Sequence, residues 1–122
     1  MKWGLVVDDS DVIRRVARRI LEDLGFQIQE AANGQEALAR CQQAMPDLIL
    51  LDWHMPGMGA VALLRALRLT PKGSNPYILY CTTENDRDDI SRALEAGADD
   101  YLLKPFERES LTVKLAKIVP VA

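Results

Sequence analysis

The sequence predicts an α/β fold in which a doubly wound parallel sheet of five strands is covered by helices on both faces. Five short apolar segments alternate with five segments of helical periodicity along the 122 residues. Crossovers between parallel strands are right-handed and place helices on both faces of the sheet. The third strand, 48–51, is four consecutive apolar residues between Pro46-Asp47 and Pro56-Gly57, which is typical of a strand buried on both faces.

Composition narrows the class of protein. Hydrophobic residues make up 48% of the chain and charged residues 27%, as in an ordinary soluble domain with one core. The net charge of −3 and the pI near 5.1 argue against nucleic-acid binding. No apolar run reaches membrane-spanning length, and the apolar segment before Asp8 is too short for a signal peptide. We therefore expect a cytoplasmic protein without membrane insertion.

The cysteines and the single histidine exclude two kinds of stabilising site. Cys41 and Cys81 lie in apolar contexts, which predicts buried thiols and not a disulfide framework. His54 is the only histidine, so four good zinc ligands cannot be assembled.

The segment after the first strand predicts an amphipathic helix. Ser10 or Asp11 can cap its start, and Gly25 can end it as the C′ residue. Its apolar positions recur at helical spacing on one side, at Ile13, Val16, Ala17, Ile20, Leu21 and Leu24. With acidic residues nearby, the arginines of the opposite face predict a solvated surface and not a polyanion site; they are Arg14, Arg15, Arg18 and Arg19.

The other elements follow from the same signals. Apolar runs predict strands, helical periodicity predicts helices, and Gly, Pro and Asn mark the boundaries. The predicted strands are 3–7, 26–31, 48–51, 77–81 and 100–103, of which the partly polar second is typical of an edge strand. The later helices are predicted at 35–44 after an Asn33-Gly34 turn, at 60–69, from a cap near Asp86 to 96, and at 107–119. We expect one domain over 1–122, without an output domain.

Reactive side chains follow four of the five strands. Asp8-Asp9 come after the first strand, Asp52 after the third, Thr82 after the fourth and Lys104 after the fifth. If the strand order is 2-1-3-4-5, strands 1 and 3 are central neighbours, and these groups meet at the edge of the sheet where ligands bind. Each residue alone has an ordinary explanation as a cap, a turn residue or a solvated side chain. Their occurrence at four strand ends makes coincidence implausible.

This set of side chains predicts a phosphoryl-transfer site. Three converging carboxylates repel one another, and Mg²⁺, which prefers oxygen ligands, relieves the repulsion. Lys104 supplies a point charge suited to a phosphoryl oxygen, and Thr82 supplies a hydroxyl donor. One carboxylate can then attack in line while the cation and the lysine neutralise the charge on the transferred group.

Four segments resemble the motifs of the response-regulator receiver family, and specifically of stand-alone CheY-like receivers with the flavodoxin-like (βα)5 fold. They are Val6-Val7-Asp8-Asp9-Ser10, Leu51-Asp52-Trp53-His54-Met55-Pro56, Cys81-Thr82-Thr83 and Tyr101-Leu102-Leu103-Lys104-Pro105-Phe106, in the family's order and spacing. The resemblance implies phosphorylation of Asp52 and binding of Mg²⁺ by Asp8, Asp9, Asp52 and the backbone carbonyl of His54. It also implies phosphoryl contacts from Thr82 and Lys104, and a cis Lys104–Pro105 bond.

The resemblance further implies an output. Thr82 is drawn toward the phosphoryl group, Tyr101 swings inward behind it, and a partner protein reads the face formed by the fourth helix, fifth strand and fifth helix. This is a population shift. His54 and Glu84 occupy positions that tune dephosphorylation in the family. We expect a monomer in a two-component pathway such as chemotaxis, which receives phosphate from a histidine kinase or from acetyl phosphate and catalyses its own phosphorylation and dephosphorylation.

The loop beside Asp52 departs from the family pattern. Where the family commonly has an Asp-Gly pair before the third helix, this chain has Gly59-Ala60. The Asp would cap the helix, and replacing such a cap by Gly costs only a few tenths of a kcal/mol. The altered loop changes local geometry and leaves the chemistry intact.

Other functions compete with this interpretation. The chain could pass phosphate to a histidine phosphotransfer protein, or it could be a pseudo-receiver that binds its partner without phosphorylation. A phosphohydrolase of the haloacid-dehalogenase kind would use Asp9-Ser10-Asp11 and the pair Asp99-Asp100, but the chain is short for that fold. A flavin-binding module is weaker still, because Asp8-Asp9 would repel a phosphate. His54 as a zinc ligand or general base is less favoured than an exposed residue beside the site.

Overall fold

The computed structural model describes residues 2–54, 57–82, 87–116 and 118. Five parallel strands form one sheet in the order β2-β1-β3-β4-β5, which confirms the predicted class and order. The strands are β1 (Trp3–Val7), β2 (Gln27–Ala31), β3 (Leu48–Asp52), β4 (Tyr77–Thr82) and β5 (Asp100–Leu103). The helices are α1 (Asp11–Asp23), α2 (Gly34–Gln43), α3 (Ala60–Arg68), α4 (Arg87–Ala96) and α5 (Arg108–Lys114).

The core is divided by the sheet because successive side chains of a strand point to opposite faces. Leu48 and Leu50 of β3 belong to a cluster with apolar residues of α1 and α5. Ile49 and Leu51 belong to a second cluster with residues of α2, α3 and α4. Strand β3 is therefore buried on both faces, as its uninterrupted apolar run predicts.

Helix starts and ends follow the capping residues. The hydroxyl of Ser10 accepts from the backbone N–H of Ile13 at 3.3 Å, so Ser10 is the N-cap of α1. Gly25 follows the C-cap of the same helix with φ of 103°, the left-handed conformation that favours glycine. Asn33 accepts from the backbone of Glu36 at 2.9 Å and is the N-cap of α2. The predicted Asn33-Gly34 turn is thus the start of a helix.

Two strands run one residue longer than the apolar pattern predicts. Asp52 pairs with Cys81, and Thr82 pairs with Leu103, so both polar residues belong to the ladder. Because a strand end is defined by hydrogen bonding, a polar residue can occupy its last position without interrupting it.

Helix α4 ends at Ala96 as predicted, whereas α5 ends earlier than predicted. The α5 helix has its C-cap at Leu115, earlier than the predicted end at 119, which itself lies outside the described residues. The predicted cap of α4 at Asp86 also lies outside them. Within the described ranges no helix is long and apolar enough to cross a membrane. Cys41 and Cys81 are buried free thiols, as predicted.

Candidate functional site

Backbone hydrogen bonds position the polar residues that directly follow strands β1 and β5. The backbone N–H of Asp8 donates to the carbonyl of Ala31 at 3.1 Å, and that of Lys104 donates to the carbonyl of Thr82 at 2.8 Å. The ladder therefore continues one residue beyond β1 and β5. These two residues project from a rigid edge and not from a free loop, which fixes their distance from Asp52 on the central strand.

The charged side chains meet at this edge. Lys104 Nζ lies 2.6 Å from Oδ1 of Asp52 and 2.7 Å from Oδ2 of Asp8. The side chains of Asp52 and Asp8 are 4% and 5% exposed, and that of Lys104 is 12% exposed. Asp9 is exposed at the rim of the same cluster. One buried cation therefore faces two buried carboxylates, with a third acid beside them.

The electrostatics leave negative charge in excess. Burial raises the pKa of Asp52, and the charges of Asp8 and Asp9 raise it further, whereas the hydrogen bond from Lys104 lowers it; the net shift is upward. Burial alone would lower the pKa of Lys104, but its bonds to Asp52 and Asp8 outweigh burial and the net shift is also upward. The lysine stays charged, and ionisation of Asp52 is less favourable in the folded protein than in the unfolded chain.

The three carboxylates fit a hard divalent cation. One oxygen from each of Asp8, Asp9 and Asp52 can be chosen so that all lie within 4.8 Å of one another. Carboxylate oxygens are the preferred ligands of Mg²⁺, which usually keeps several waters, and exposed Asp9 leaves room for them. The backbone carbonyl of His54 as a further ligand stays a prediction.

Arg14 contacts the site, although its position in the helical pattern predicts a solvated side chain. Its guanidinium donates to the backbone carbonyl of Asp8 at 2.6 Å and to the carboxylate of Glu30 at 3.1 Å. The side chain is only 13% exposed, so the prediction of a solvated arginine face is wrong for this member of the cluster. The acidic Glu30 in the edge strand is the available signal, but pairing it with α1 requires knowing how the helix packs.

Three of the remaining predicted residues, Thr82, Tyr101 and His54, lie in the described part of the chain. Thr82 is fully buried at the end of β4. Tyr101 is partly buried on β5, with Lys114 Nζ 4.8 Å from the centre of its ring. The side chain of His54 is exposed, and Glu84 lies outside the described residues. The predicted cis Lys104–Pro105 bond is present.

The acid pair required by a phosphohydrolase lies elsewhere. The carboxylate of Asp99 accepts from the backbone of Ile78 at 2.7 Å, near the start of β4, and from Arg68 at 2.9 Å. Asp100 forms an ion pair with Lys114 at 3.2 Å. Both acids are therefore engaged in contacts of their own, apart from the Asp8–Asp9–Asp52 cluster.

Helix α3 begins without a side-chain cap. Gly59 is its N-cap residue and provides no side-chain hydrogen bond. Among the described residues, a Cβ added to Gly59 would meet no atom within 4 Å, which leaves space for a capping side chain. The departure noted in the sequence therefore affects the helix end and leaves the carboxylate cluster assembled.

Comparison with known proteins identifies the family of this chain. The model of the response regulator receiver domain matches residues 5–116. The chain is 39% identical over 115 residues to chemotaxis protein CheY of Pseudomonas aeruginosa, covering 93% of each. It is 38% identical to chemotaxis protein CheY-3 of Vibrio cholerae serotype O1, covering 93% of this chain and 88% of that protein.

Solved structures agree. Chemotaxis protein CheY4 of Vibrio cholerae, crystallised at low pH, superposes with a TM-score of 0.91 at 36% identity, covering 97% of this chain and 98% of that one. A response regulator of Chloroflexus aurantiacus superposes with a TM-score of 0.89 at 31% identity, covering 98% of each. This chain belongs to the response regulator receiver domain family.

Proposed function

We propose that this chain is a phosphorylation-controlled switch that accepts a phosphoryl group on Asp52 with Mg²⁺ and signals through altered protein binding. The observation that carries the proposal is the contact of the Lys104 ammonium group with both Asp52 and Asp8 at the carboxyl edge of the sheet. An ammonium group in this position can stay paired before and after phosphoryl transfer, because a phosphoryl oxygen can replace one carboxylate oxygen as its partner.

The chemistry uses Asp52 as the nucleophile. One of its carboxylate oxygens attacks the phosphorus of the donor in line, a new phosphorus–oxygen bond forms, and the bond from phosphorus to the donor breaks with its electron pair leaving on the donor. Lys104 stays protonated and donates to the transferred group. Thr82, next to this centre at the end of β4, contributes its hydroxyl as a donor to the aspartyl phosphate.

Asp8, Asp9 and Asp52 would hold Mg²⁺. When bound, the ion neutralises charge on the carboxylates and on the phosphoryl oxygens. The donor set supports this assignment, because it consists only of carboxylates and leaves an exposed side for water and phosphate. Arg14 supports the site indirectly, because its hydrogen bond to the backbone carbonyl of Asp8 holds Asp8 in position.

The output is a change of the surface formed by α4, β5 and α5. Each of these elements carries an exposed large apolar side chain, namely Leu94, Leu103 and Val113, at 39%, 40% and 70% exposure. Thr82 and Tyr101 would couple this surface to Asp52, and His54 and Glu84 would set the lifetime of the phosphorylated form. The free energy available is the difference between the phosphoryl group's contacts in the two states.

The process we propose is chemotaxis or a related two-component pathway, with a histidine kinase as phosphate source and a downstream protein as target. The support is the identity to proteins named for chemotaxis over nearly their whole length. The alternative, transfer of phosphate onward to a histidine phosphotransfer protein, is tested by mixing such a protein with the phosphorylated chain. Rapid loss of the phosphate to it would favour the shuttle.

Intact mass spectrometry after incubation with Mg²⁺ and acetyl phosphate tests the proposal. We expect one phosphoryl adduct on the wild type, no adduct on Asp52→Asn, and no adduct when a chelator removes the metal. Asp47→Asn is the matched control, because it makes the same change at the opposite edge of the sheet, where Asp47 accepts from the backbone of Trp3. It should be phosphorylated like the wild type.

Two results would overturn the proposal in different ways. An adduct that persists on Asp52→Asn would move the acceptor to another residue. A wild type without an adduct, whose Trp53 fluorescence also does not respond to Mg²⁺, would favour the pseudo-receiver.

A further inference from the structure

A buried tyrosine ties helix α4 to the central part of the sheet. Tyr80 of β4 is 1% exposed, and its hydroxyl donates to Oδ2 of Asp89 at 2.8 Å. Asp89 is in the first turn of α4. The bond therefore joins the strand to the start of the helix that follows it.

This bond lies beside the two residues that we propose as the switch. Tyr80 and Thr82 are two positions apart on β4, so their side chains project from the same face of the sheet. Tyr80 is also the register partner of Tyr101 on β5. A displacement of α4 that follows movement of Thr82 or Tyr101 must therefore act on the Tyr80–Asp89 contact.

The bond is well suited to hold the helix. Burial raises the pKa of Tyr80, and the carboxylates of Asp89 and Asp52 raise it further, so the hydroxyl stays protonated and remains a donor. Hydrogen bonds to a charged group are stronger than those between neutral groups. Within the described part of the chain Asp89 is the acceptor of this hydroxyl, and loss of the acceptor of a buried donor is costly.

Helix α4 buries fewer large apolar side chains than α3 does. The buried residues of α4 are Ile90, Ala93 and Ala96, of which only Ile90 is large. The buried residues of α3 are Ala60, Leu63, Leu64 and Leu67. Because burial free energy scales with apolar area, α4 depends more than α3 on polar contacts to keep its position.

We propose that the Tyr80–Asp89 hydrogen bond is a tether that holds α4 against the sheet in the unphosphorylated protein and is released when Asp52 is phosphorylated. Tyr80 and Asp89 are then positioning residues that set how far the switch favours the inactive arrangement. This inference rests on the proposed function, because it concerns the equilibrium that phosphorylation shifts.

The tether predicts a specific pattern of amide hydrogen exchange. In unphosphorylated Tyr80→Phe, the amides of residues 87–96 should exchange about tenfold faster than in the wild type, because one hydrogen bond to a charged group is lost. After phosphorylation the two proteins should exchange alike in α4, since the wild type has released the bond as well. A purely structural bond would instead leave the same difference in both states.

The control variants separate loss of the Tyr80–Asp89 hydrogen bond from other effects of the substitutions. Tyr77→Phe makes the same chemical change on the same strand and should leave exchange in α4 as in the wild type. Asp89→Asn keeps an oxygen acceptor and should have a smaller effect than Asp89→Ala. The double variant Tyr80→Phe/Asp89→Ala should change exchange by less than the sum of the two single variants, because both substitutions remove the same Tyr80–Asp89 contact.

The outcomes separate the tether from the proposed function. Equal α4 exchange in wild type and Tyr80→Phe before phosphorylation would overturn the tether, and so would an unchanged difference after it. Additive effects of the two substitutions would also overturn it. Intact mass reports phosphorylation in the same samples, so absence of an adduct on the wild type would reject the proposed function and the coupling together.

Discussion

Lys104 Nζ lies 2.6 Å from Oδ1 of Asp52, the carboxylate that we propose as the phosphate acceptor. The same nitrogen is shared with Asp8, so one positive charge serves two buried negative charges. One lysine does not fully compensate two carboxylates, and the pKa of Asp52 remains raised despite the contact. Several consequences for stability and metal dependence can be measured.

The substitution Asp52→Asn should stabilise the metal-free protein at neutral pH. The pKa of Asp52 is raised in the folded state above its ordinary 3.8, chiefly by burial, so the folded protein binds the proton more tightly than the unfolded chain. The contribution of Asp52 to the free energy of unfolding therefore falls as pH rises from about 3.8 to the raised pKa. Above that pKa the full destabilisation by the ionised carboxylate is present. Asn carries no such cost.

Urea unfolding measures this difference. The midpoint of Asp52→Asn should exceed that of the wild type at pH 7, and the gap should shrink as pH falls toward 4. Adding Mg²⁺ should stabilise the wild type more than the variant. A variant less stable than the wild type at pH 7 without metal would contradict the prediction.

The substitution Lys104→Met should have the opposite effect. It removes the cation from two buried carboxylates, and breaking one side of a buried ion pair typically costs about 3 kcal/mol or more. Mg²⁺ should recover part of this loss, because it neutralises the same charges. Denaturation with and without Mg²⁺ checks the prediction, with Lys72→Met in the exposed α3–β4 loop as control. Equal losses under both conditions would argue against metal binding at these carboxylates.

The substitution Gly59→Ser should stabilise the protein by a few tenths of a kcal/mol, because serine at an N-cap accepts from the first turn of the helix and glycine does not. The backbone at Gly59 has φ of −72°, which suits any residue, and the space for a Cβ is open. Gly59→Ala fills the same space without an acceptor. If thermal unfolding ranks alanine with or above serine, capping is not the limiting feature of α3.

The substitution Arg68→Lys should destabilise the protein by about 2 kcal/mol, because an ammonium group cannot reproduce several simultaneous guanidinium hydrogen bonds. The guanidinium joins three loop carbonyls and one carboxylate: Gly73, Pro76, Gly97 and Asp99. Chemical denaturation gives the loss, and Arg65→Lys, an exposed change on the same helix, should be nearly neutral. Phosphorylation of the folded variant should be retained, since these contacts lie apart from the carboxylate cluster.

Local signals in the sequence determined the number of the strands and helices and their order along the chain. The four-residue apolar run of β3 requires burial on both faces, and the alternation of strands with helices requires parallel pairing. The acids, the threonine and the lysine at strand ends follow from position alone, because carboxyl ends of parallel strands share one edge. Helix starts were less certain, since Asn33-Gly34 can begin either a turn or a helix.

Only the tertiary structure decided which side chains pair across elements. Arg14 looks solvated in its helical pattern, but α1 packs against β2 and brings it to Glu30 and the Asp8 carbonyl. The sequence pattern indicates that Tyr80 is an ordinary apolar strand residue, whereas its hydrogen bond to Asp89 depends on how α4 packs on the sheet. The physical reason is the same in both cases. Periodicity reports which face a side chain occupies, whereas a hydrogen bond requires a distance set by packing of the whole fold.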